Sequence, residues 1–355
     1  MGLNIGDTIY KYKLIRKLGA GAFGQVWLAE DTSINNTVAL KILPSDFKNV
    51  ATVLEEARIG HKFNHDNLLQ IHYADIITLN DGSAITLIAQ DYKPNGTVER
   101  LLNTHNFLDA PILLRVLKDI LYGLEYLHNS NIFHNDIKPG NILLGDKNIA
   151  ILADYGISGI TLDGNPIIPK DTYIVHGAPE TLSSTPIINI HTDIYQVGCT
   201  AYRLANGIST LRDEFSNNSS EYQQRVLNGE ISNKKHGMHV PIKLASIIKK
   251  AMSLDPNDRY LSALEMRRDL EKLSFAGYWT VDPHISTELI GKGAKYDYKF
   301  EKNLRPGNTF DFTATKVNKS GRRTRVTQFC KKSLNAKDVA KIEKEYYQWV
   351  IKNAT

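Results

Sequence analysis

Cysteine is scarce in this chain, and long apolar runs are missing. The 355 residues include two cysteines, Cys199 and Cys330, too few for a disulfide framework or a set of cysteine metal ligands. No stretch approaches the roughly 20 consecutive apolar residues of a membrane-spanning helix. The first ten residues also lack the basic and apolar regions of a signal peptide. We therefore expect a cytoplasmic protein with no membrane partner.

Acidic excess is also missing, and the positive charge is unevenly distributed. Hydrophobic residues make up 42% of the chain, and the net charge is +5. That composition excludes general disorder and allows about two or three domains of roughly 100–200 residues. Residues 275–355 contain 16 Lys and Arg against 8 Asp and Glu, whereas residues 1–274 contain 27 against 30. The positive charge therefore belongs to the C-terminal region, where it is the better clue to partners.

Hydrophobic periodicity predicts a strand-rich region followed by a helical one. The strand-like runs, which are β-branched or alternating, are 10–18, 25–31, 37–43, 68–75 and 84–92. One helix-like stretch, 50–64, lies among them. Helical spacing then dominates from 97 to 273, with buried helices predicted before residue 134 and at 193–206.

The pattern changes again after residue 273. Tyr296, Tyr298 and Phe300 alternate in the first of three strand-like runs, and 318–321 supplies a turn between the last two. Residues 335–353 carry apolar side chains at helical spacing. These features predict a separate α+β module at 278–355, consisting of a three-stranded sheet and a helix.

The most informative motif is the eight-residue run from His134 to Asn141. Within it, Asp136 can orient an attacking hydroxyl, Lys138 can neutralise a phosphate, and Asn141 can hold a metal ion. Asp154 follows Asn141 by thirteen residues and provides a second metal-binding carboxylate before Gly156. Together these residues predict phosphoryl transfer.

A glycine-rich turn and a strand lysine predict nucleotide binding. The turn lies between two strand-like runs and comprises Gly19, Ala20, Gly21, Ala22, Phe23 and Gly24. Backbone without Cβ can approach phosphate closely, although alone this pattern is also that of an ordinary hairpin or a dinucleotide fold. Lys41 lies on the next strand, where it can contact phosphates. Glu56, favoured over Glu55, would pair with Lys41.

These motifs occur in the order found in eukaryotic-like (Hanks-type) serine/threonine protein kinases, which residues 8–273 resemble. The resemblance also rests on Ala178-Pro179-Glu180, Asp193 and the run 255–259. It implies an α+β bilobal fold with a β-rich N-lobe (about 8–92) carrying one regulatory helix and an α-helical C-lobe (about 97–273). Lys138 resembles the serine/threonine branch. Asp193 would cap backbone N–H groups of the catalytic loop.

The resemblance also implies the cofactors and the role of each site residue. Asp136 and Lys138 would be catalytic, and Asn141 and Asp154 would hold Mg²⁺, with Mn²⁺ as an alternative ion. Protein serine or threonine hydroxyls would accept phosphate from ATP. The residues that would contact ATP are the turn Gly19, Ala20, Gly21, Ala22, Phe23 and Gly24, with Val26, Ala39, Lys41, Glu56, Gln90, Asp91, Tyr92 and Leu143.

The chain departs from the family pattern at several positions. Asn135 replaces the arginine that pairs with a phosphorylated activation segment, so activity should not depend on phosphorylation of that segment. Tyr155 replaces a phenylalanine, His176 replaces a tyrosine, and Tyr173 lies near the usual substrate-facing threonine. The last two affect expected substrate selectivity more than chemistry.

Alternatives stay open for the C-terminal module. Basic residues cluster at 322–325 and at Lys331-Lys332 among many aromatic residues. The module could pack on the kinase or dock a protein substrate or partner, bind nucleic acid through phosphates, or sense an anionic ligand. The alternative for the whole chain is a kinase-fold scaffold whose basic tail binds nucleic acid or an anionic ligand.

Overall fold

The computed structural model describes residues 2–21, 24–44, 54, 57–58, 60–79, 81–154, 168 and 173–354. The chain forms two compact units. Unit 1 comprises Met1–Arg100 and Asp119–Gln196, and unit 2 comprises Leu101–Lys118 and Val197–Thr355. Each unit contains helix and sheet, which confirms the predicted α+β class.

A six-stranded antiparallel sheet in unit 1 contains the predicted strands. In spatial order β1-β2-β3-β4-β6-β5, its strands are β1 (Thr8–Ile9), β2 (Tyr12–Gly21), β3 (Gly24–Asp31), β4 (Asn36–Pro44), β6 (Ala84–Asp91) and β5 (Ile71–Thr78). Trp27, Leu40 and Ala89 are paired across three strands and lie in the core on one face. Because side chains alternate along a strand, Lys41 and its cross-strand partner Val26 lie on the opposite face.

The predicted helix at 50–64 lies largely outside the described residues. Leu54 and Ala57 are helical and buried. The first helix with full bounds is α1 (Ala110–Asn129), which confirms the buried helix predicted before His134. It leads into a short hairpin, β7 (Ile142–Leu144) and β8 (Ala150–Leu152). The predicted central helix is α2 (Ile190–Asn206).

Four shorter helices of unit 2 follow α2. They are α3 (Thr210–Asn217), α4 (Ser219–Leu227), α5 (Ile242–Ala251) and α6 (Ala263–Glu271). Ser262 caps α6 by accepting the Glu265 N–H, and the Glu265 carboxylate accepts the Leu261 N–H in return. Such reciprocal caps satisfy backbone donors at a helix start. Across the described ranges, no helix has the length and apolar character needed to cross a membrane.

The C-terminal region contains more strands than the sequence pattern predicted. The strands are β9 (Tyr278–Val281), β10 (Leu289–Lys292), β11 (Tyr296–Arg305), β12 (Thr309–Asn318), β13 (Arg323–Arg325) and β14 (Lys331–Leu334), and the helix is α7 (Ala336–Asn353). The prediction of three strands was therefore wrong. Strands β9, β10, β13 and β14 contain three or four residues each, too short for a clear alternation signal.

The aromatic residues of this region form its core. Trp279, Tyr298, Phe312 and Tyr346 are each at most 1% exposed and belong to one cluster. The Trp279 indole N–H donates to the Tyr347 carbonyl oxygen at 3.0 Å, so the ring's polar atom is satisfied. The aromatic residues noted in the sequence therefore stabilise the module.

Gln348 of α7 joins this region to the segment that precedes α5. Its side-chain oxygen accepts the Ile242 N–H at 3.1 Å, and its side-chain nitrogen donates to the carbonyl oxygens of Met238 at 2.9 Å and Val240 at 3.0 Å. Gln348 is 9% exposed. The C-terminal region and the α3–α6 helices thus belong to one compact unit, and the predicted domain boundary near residues 273–278 stays a prediction.

Candidate active site

A buried aspartate of α2 holds the start of the His134–Asn141 loop. Asp193 is 0% exposed. One carboxylate oxygen accepts the His134 N–H at 2.9 Å, and the other accepts the Asn135 N–H at 2.7 Å. His128 Nε2 contacts the first oxygen at 2.8 Å. Charge-assisted bonds to backbone donors are strong, and the predicted capping role of Asp193 is confirmed.

Gln196, one helical turn after Asp193, supports the middle of the same loop. Its side-chain oxygen accepts the Ile137 N–H at 2.9 Å, and its nitrogen donates to the Asn135 carbonyl oxygen at 2.8 Å. Sequence reasoning missed this residue. The available signal was its position three residues after Asp193, because residues i and i+3 share a helix face.

Asn135 adopts a left-handed backbone conformation, with φ of 54°. Asparagine tolerates this region better than most other non-glycine residues. Its side-chain oxygen accepts from Gln196 Nε2 at 3.3 Å, and the residue is 3% exposed. Asn135 is thus an uncharged, buried part of the loop's support.

His134 connects the loop to the residue before Asp154. Its Nδ1 accepts the Asp136 N–H at 3.3 Å, so Nε2 carries the proton that it shares with the Ala153 carbonyl oxygen at 3.1 Å. Burial lowers the pKa of His134 because desolvation disfavours the imidazolium. The neutral His134 ring therefore links the Asp136 N–H to the Ala153 carbonyl oxygen and restricts the conformation of the loop.

Asp136, Lys138 and Asn141 lie in mutual contact. Lys138 Nζ is 2.8 Å and 2.6 Å from the two carboxylate oxygens of Asp136. Asn141 Nδ2 donates to the Asp136 carbonyl oxygen and to a carboxylate oxygen, both at 2.8 Å. The three predicted residues are therefore brought together by the loop.

Asp154 pairs with the strand lysine Lys41 at 3.1 Å, although the two are far apart in sequence. The positive charge of Lys41 lowers the pKa of Asp154, so its carboxylate stays ionised. The Ala153 N–H donates to the Asn141 carbonyl oxygen at 2.9 Å. That bond places the backbone before Asp154 beside Asn141.

Asn141 and Asp154 together suit a hard cation. Asn141 donates both of its hydrogen bonds to Asp136 from Nδ2, so its side-chain oxygen can serve as a metal ligand. In the part of the chain that the structure describes, no group of three or more His, Cys, Asp or Glu side chains could hold a metal ion. Mg²⁺ commonly takes one or two protein oxygen ligands and completes its shell with phosphate and water. The donor set therefore fits a divalent cation whose remaining ligands come from elsewhere.

Strands β2 and β3, which flank the glycine-rich turn, pair as far as Gly21 and Gly24. Gly24 has φ of 120°, and a Cβ there would lie 2.2 Å from the Ile42 carbonyl oxygen, so no other residue fits. At Gly19, a Cβ would meet nothing within 4 Å. Ala20 lies on β2 beside Gly21, whereas Ala22 and Phe23 lie outside the described residues.

The sheet register places four predicted ATP-binding residues on one face. Leu28 pairs with Ala39 and Ala39 with Gln90, while Val26 pairs with Lys41. Because paired residues share a face, Val26, Ala39, Lys41 and Gln90 lie on the same side of the sheet.

Three further predicted ATP-binding residues are described: Asp91 ends β6, Tyr92 follows it, and Leu143 lies on the β7–β8 hairpin. The Asp91 carboxylate pairs with His72 at 2.6 Å and Lys93 at 2.8 Å; burial opposes ionisation, but these two partners lower the pKa of Asp91. The Tyr92 hydroxyl accepts from Arg16 at 3.2 Å. Leu143 lies on β7 and is bridged to Thr97. Glu56 lies outside the described residues.

The chain is similar in sequence to bacterial serine/threonine-protein kinases. The chain is 25% identical over 303 residues to a probable serine/threonine-protein kinase of Clostridium perfringens, covering 83% of this chain and 42% of that protein. It is 25% identical over 299 residues to serine/threonine-protein kinase PknB of Mycobacterium leprae, covering 80% and 47% respectively. For PrkC of Bacillus subtilis the identity is 27% over 269 residues, with 74% and 40% covered. The chain thus spans less than half the length of these relatives.

The family comparison covers most of the chain. The protein kinase domain model matches residues 12–269, which contain every predicted catalytic, metal-binding and ATP-binding residue. Residues 278–354, which hold β9–β14 and α7, lie beyond that match. The chain therefore belongs to the protein kinase domain family.

Proposed function

We propose that this chain is a serine/threonine protein kinase that transfers the γ-phosphate of ATP to hydroxyl groups of proteins. The observation that carries the proposal is the linked set of contacts among Asp136, Lys138 and Asn141, with Lys41 bonded to Asp154 nearby. These residue types supply the base, the cations and the oxygen ligands of phosphoryl transfer. Residues 8–273 would form the kinase domain and residues 278–355 an accessory module.

Asp136 would orient the acceptor hydroxyl and take its proton. Asn141 Nδ2 and Lys138 both contact its carboxylate, so the carboxylate is held in one direction before substrate binds. Lys138 would leave one carboxylate oxygen and neutralise charge that develops on the transferring phosphate. A positioned group of this kind contributes to catalysis by removing the orientational cost of the encounter.

Lys41 would anchor the nucleotide phosphates. Asp154 and Asn141 would bind Mg²⁺ or Mn²⁺. When bound, the cation neutralises phosphate charge and holds the phosphates in line for attack. Lys41 would exchange its contact with Asp154 for phosphate oxygens. The face formed by Val26, Ala39 and Gln90 would contact the base, with Leu143, Asp91 and Tyr92 completing the pocket, and Glu56 would hold Lys41.

Radiolabelled ATP tests the proposal directly. With Mg²⁺ and a mixture of serine- and threonine-containing substrate proteins, wild type should incorporate label, and phosphoamino acid analysis should detect phosphoserine or phosphothreonine. Asp136→Asn should remove the signal, because the amide cannot accept the proton. The matched control Asp213→Asn changes an exposed aspartate of α3 and should keep it. Label that survives Asp136→Asn would contradict the proposal.

The accessory module would dock an acidic segment of a protein substrate or partner. Four exposed cations lie on or beside β13 and β14, and no described residue forms a salt bridge with them: Arg322, Arg325, Lys331 and Lys332. Both strands pair with the same edge of β12, so the charges are held on one ordered element. The second candidate is nucleic acid, which the same charges could contact through phosphates.

Binding measurements separate these two partners. An acidic peptide and a duplex RNA should be titrated at low and physiological salt, with wild type and with Arg322→Ser/Arg325→Ser. Peptide binding that the double variant weakens supports protein docking. Tighter binding to duplex RNA, with a steep loss on added salt, would support the nucleic-acid function instead. A control with Lys352→Ser, at the far end of α7, tests whether the location of the charge matters.

A further inference from the structure

Lys138 has a second contact besides Asp136. Its Nζ lies 4.5 Å from the centroid of the Tyr173 ring, within the distance of a cation–π interaction. The ammonium group therefore sits between a carboxylate and an aromatic ring. The Lys138 side chain is 26% exposed, so water only partly screens these attractions.

Tyr173 is itself oriented by a buried histidine. The Tyr173 and His176 rings meet edge to face, with centroids 5.4 Å apart and planes at 63°. His176 is 1% exposed, and its Nδ1 donates to the Ile137 carbonyl oxygen at 2.8 Å. Ile137 lies between Asp136 and Lys138 in the chain. A continuous series of contacts therefore runs from Lys138 through Tyr173 and His176 back to the catalytic loop.

Lysine needs such support more than arginine would. Its ammonium is a compact charge on a flexible four-carbon stem, and its contact with Asp136 weakens when a substrate hydroxyl occupies that carboxylate. A ring face attracts the cation without accepting a particular N–H bond. The ring therefore occupies none of the three N–H donors of Lys138, and those released from Asp136 can turn to phosphate oxygens.

We propose that Tyr173 is a positioning residue for phosphoryl transfer, which holds the Lys138 ammonium toward the transferring phosphate through its ring face. The inference rests on the proposed kinase function. It assigns a role to a position where the sequence predicted only altered substrate selectivity. Because Lys138 acts on charge that develops during transfer, loss of the ring lowers kcat and leaves the KM for ATP unchanged.

Two substitutions separate the ring from the hydroxyl. Tyr173→Leu keeps an apolar side chain but removes the π face, and kcat should fall about 3- to 30-fold, the loss expected for a contact worth about 0.7–2 kcal/mol. Tyr173→Phe keeps the ring and should retain most of kcat. Tyr173→Met serves as a second ring-free variant if Tyr173→Leu folds poorly by thermal melting.

A double-mutant cycle distinguishes positioning from general structural support. If Tyr173 acts through Lys138, Tyr173→Leu should cause little further loss in a Lys138→Ala background. Equal kcat values for the Leu and Phe variants would overturn the inference, as would an undiminished Leu effect in the Lys138→Ala background. A wild type that transfers no label would instead contradict the proposed kinase function, so the two failures are distinguishable.

Discussion

Removing the carboxylate of Asp193 should destabilise unit 1 and displace the catalytic loop. Asp193→Asn is nearly isosteric, so it changes hydrogen bonding without leaving a cavity. One oxygen can still accept a backbone N–H, but the new NH₂ group must face the other. Two donors then oppose each other at a site where Asp193 is 0% exposed.

The magnitude follows from the contacts that are lost. A hydrogen bond to a charged group contributes about 1.5–3 kcal/mol, and a buried unsatisfied donor costs about 1–3 kcal/mol. We therefore expect Asp193→Asn to lower the free energy of unfolding by about 2–4 kcal/mol. Asp193→Ala leaves both the His134 and Asn135 N–H groups without this acceptor, and we expect a loss of about 3–5 kcal/mol. Domains of ordinary stability, about 5–15 kcal/mol, would mostly stay folded.

Two measurements check this expectation. Urea unfolding gives the change in the free energy of unfolding, with Asp213→Asn as a control at an exposed site. Hydrogen exchange of a peptide spanning His134 to Asn141 reports the loop itself, and its amides should exchange faster in both variants. Because misplacement of catalytic groups by about 1 Å can cost about 100-fold in rate, kcat should fall as well. Unchanged exchange together with a stability loss below about 1 kcal/mol would refute the reasoning.

Three further expectations concern pH, packing and control. Burial lowers the pKa of His236 from 6.5 to about 4. As the pH falls from 6.5 to 4, the unfolded state therefore takes up a proton before the folded state does, and the free energy of unfolding should fall by up to about 3 kcal/mol. The difference between the urea midpoints at pH 7 and pH 4.5 should be smaller for His236→Gln than for wild type. Gln348→Ala removes three hydrogen bonds within unit 2 and should cost about 2–4 kcal/mol by urea unfolding, whereas the exposed Gln328→Ala should cost almost nothing. Because Asn135 is uncharged, replacing Ser158, Thr161 and Thr172 together with alanine should leave most of kcat intact in the radiolabel assay, and a collapse of kcat would contradict this. These three residues lie outside the described part of the chain.

Much of the site could be predicted because its chemistry is local in sequence. The contacts among Asp136, Lys138 and Asn141 lie within six residues, so one loop conformation brings them together. Alternation also puts Ala39 and Lys41, two residues apart on one strand, on the same face, whereas the pairing of Lys41 with Val26 came from the structure. The short strands of the C-terminal region were not, since three or four residues carry no reliable periodicity.

The supporting contacts could not be predicted because they join residues that are distant in the chain. Gln196 holds Ile137 and Asn135 from a distant helix; its spacing from Asp193 puts it on the right helix face, but that spacing does not specify which backbone groups it will bind. Gln348 bonds backbone groups more than 100 positions earlier. Such bonds form wherever folding would otherwise bury backbone groups without partners, so they depend on the complete packing.

The sequence by itself determined the family, the order of the main elements up to residue 273 and the identities of the catalytic, metal-binding and nucleotide-binding candidates, because those properties depend on residue type and spacing. Only the tertiary structure decided how these residues are held. It assigned the Ile137 N–H to Gln196, paired Lys41 with Asp154, and placed the Tyr173 ring against Lys138. The physical reason is that hydrogen bonds and ring contacts act over a few ångströms, a proximity that only the folded chain creates for distant residues.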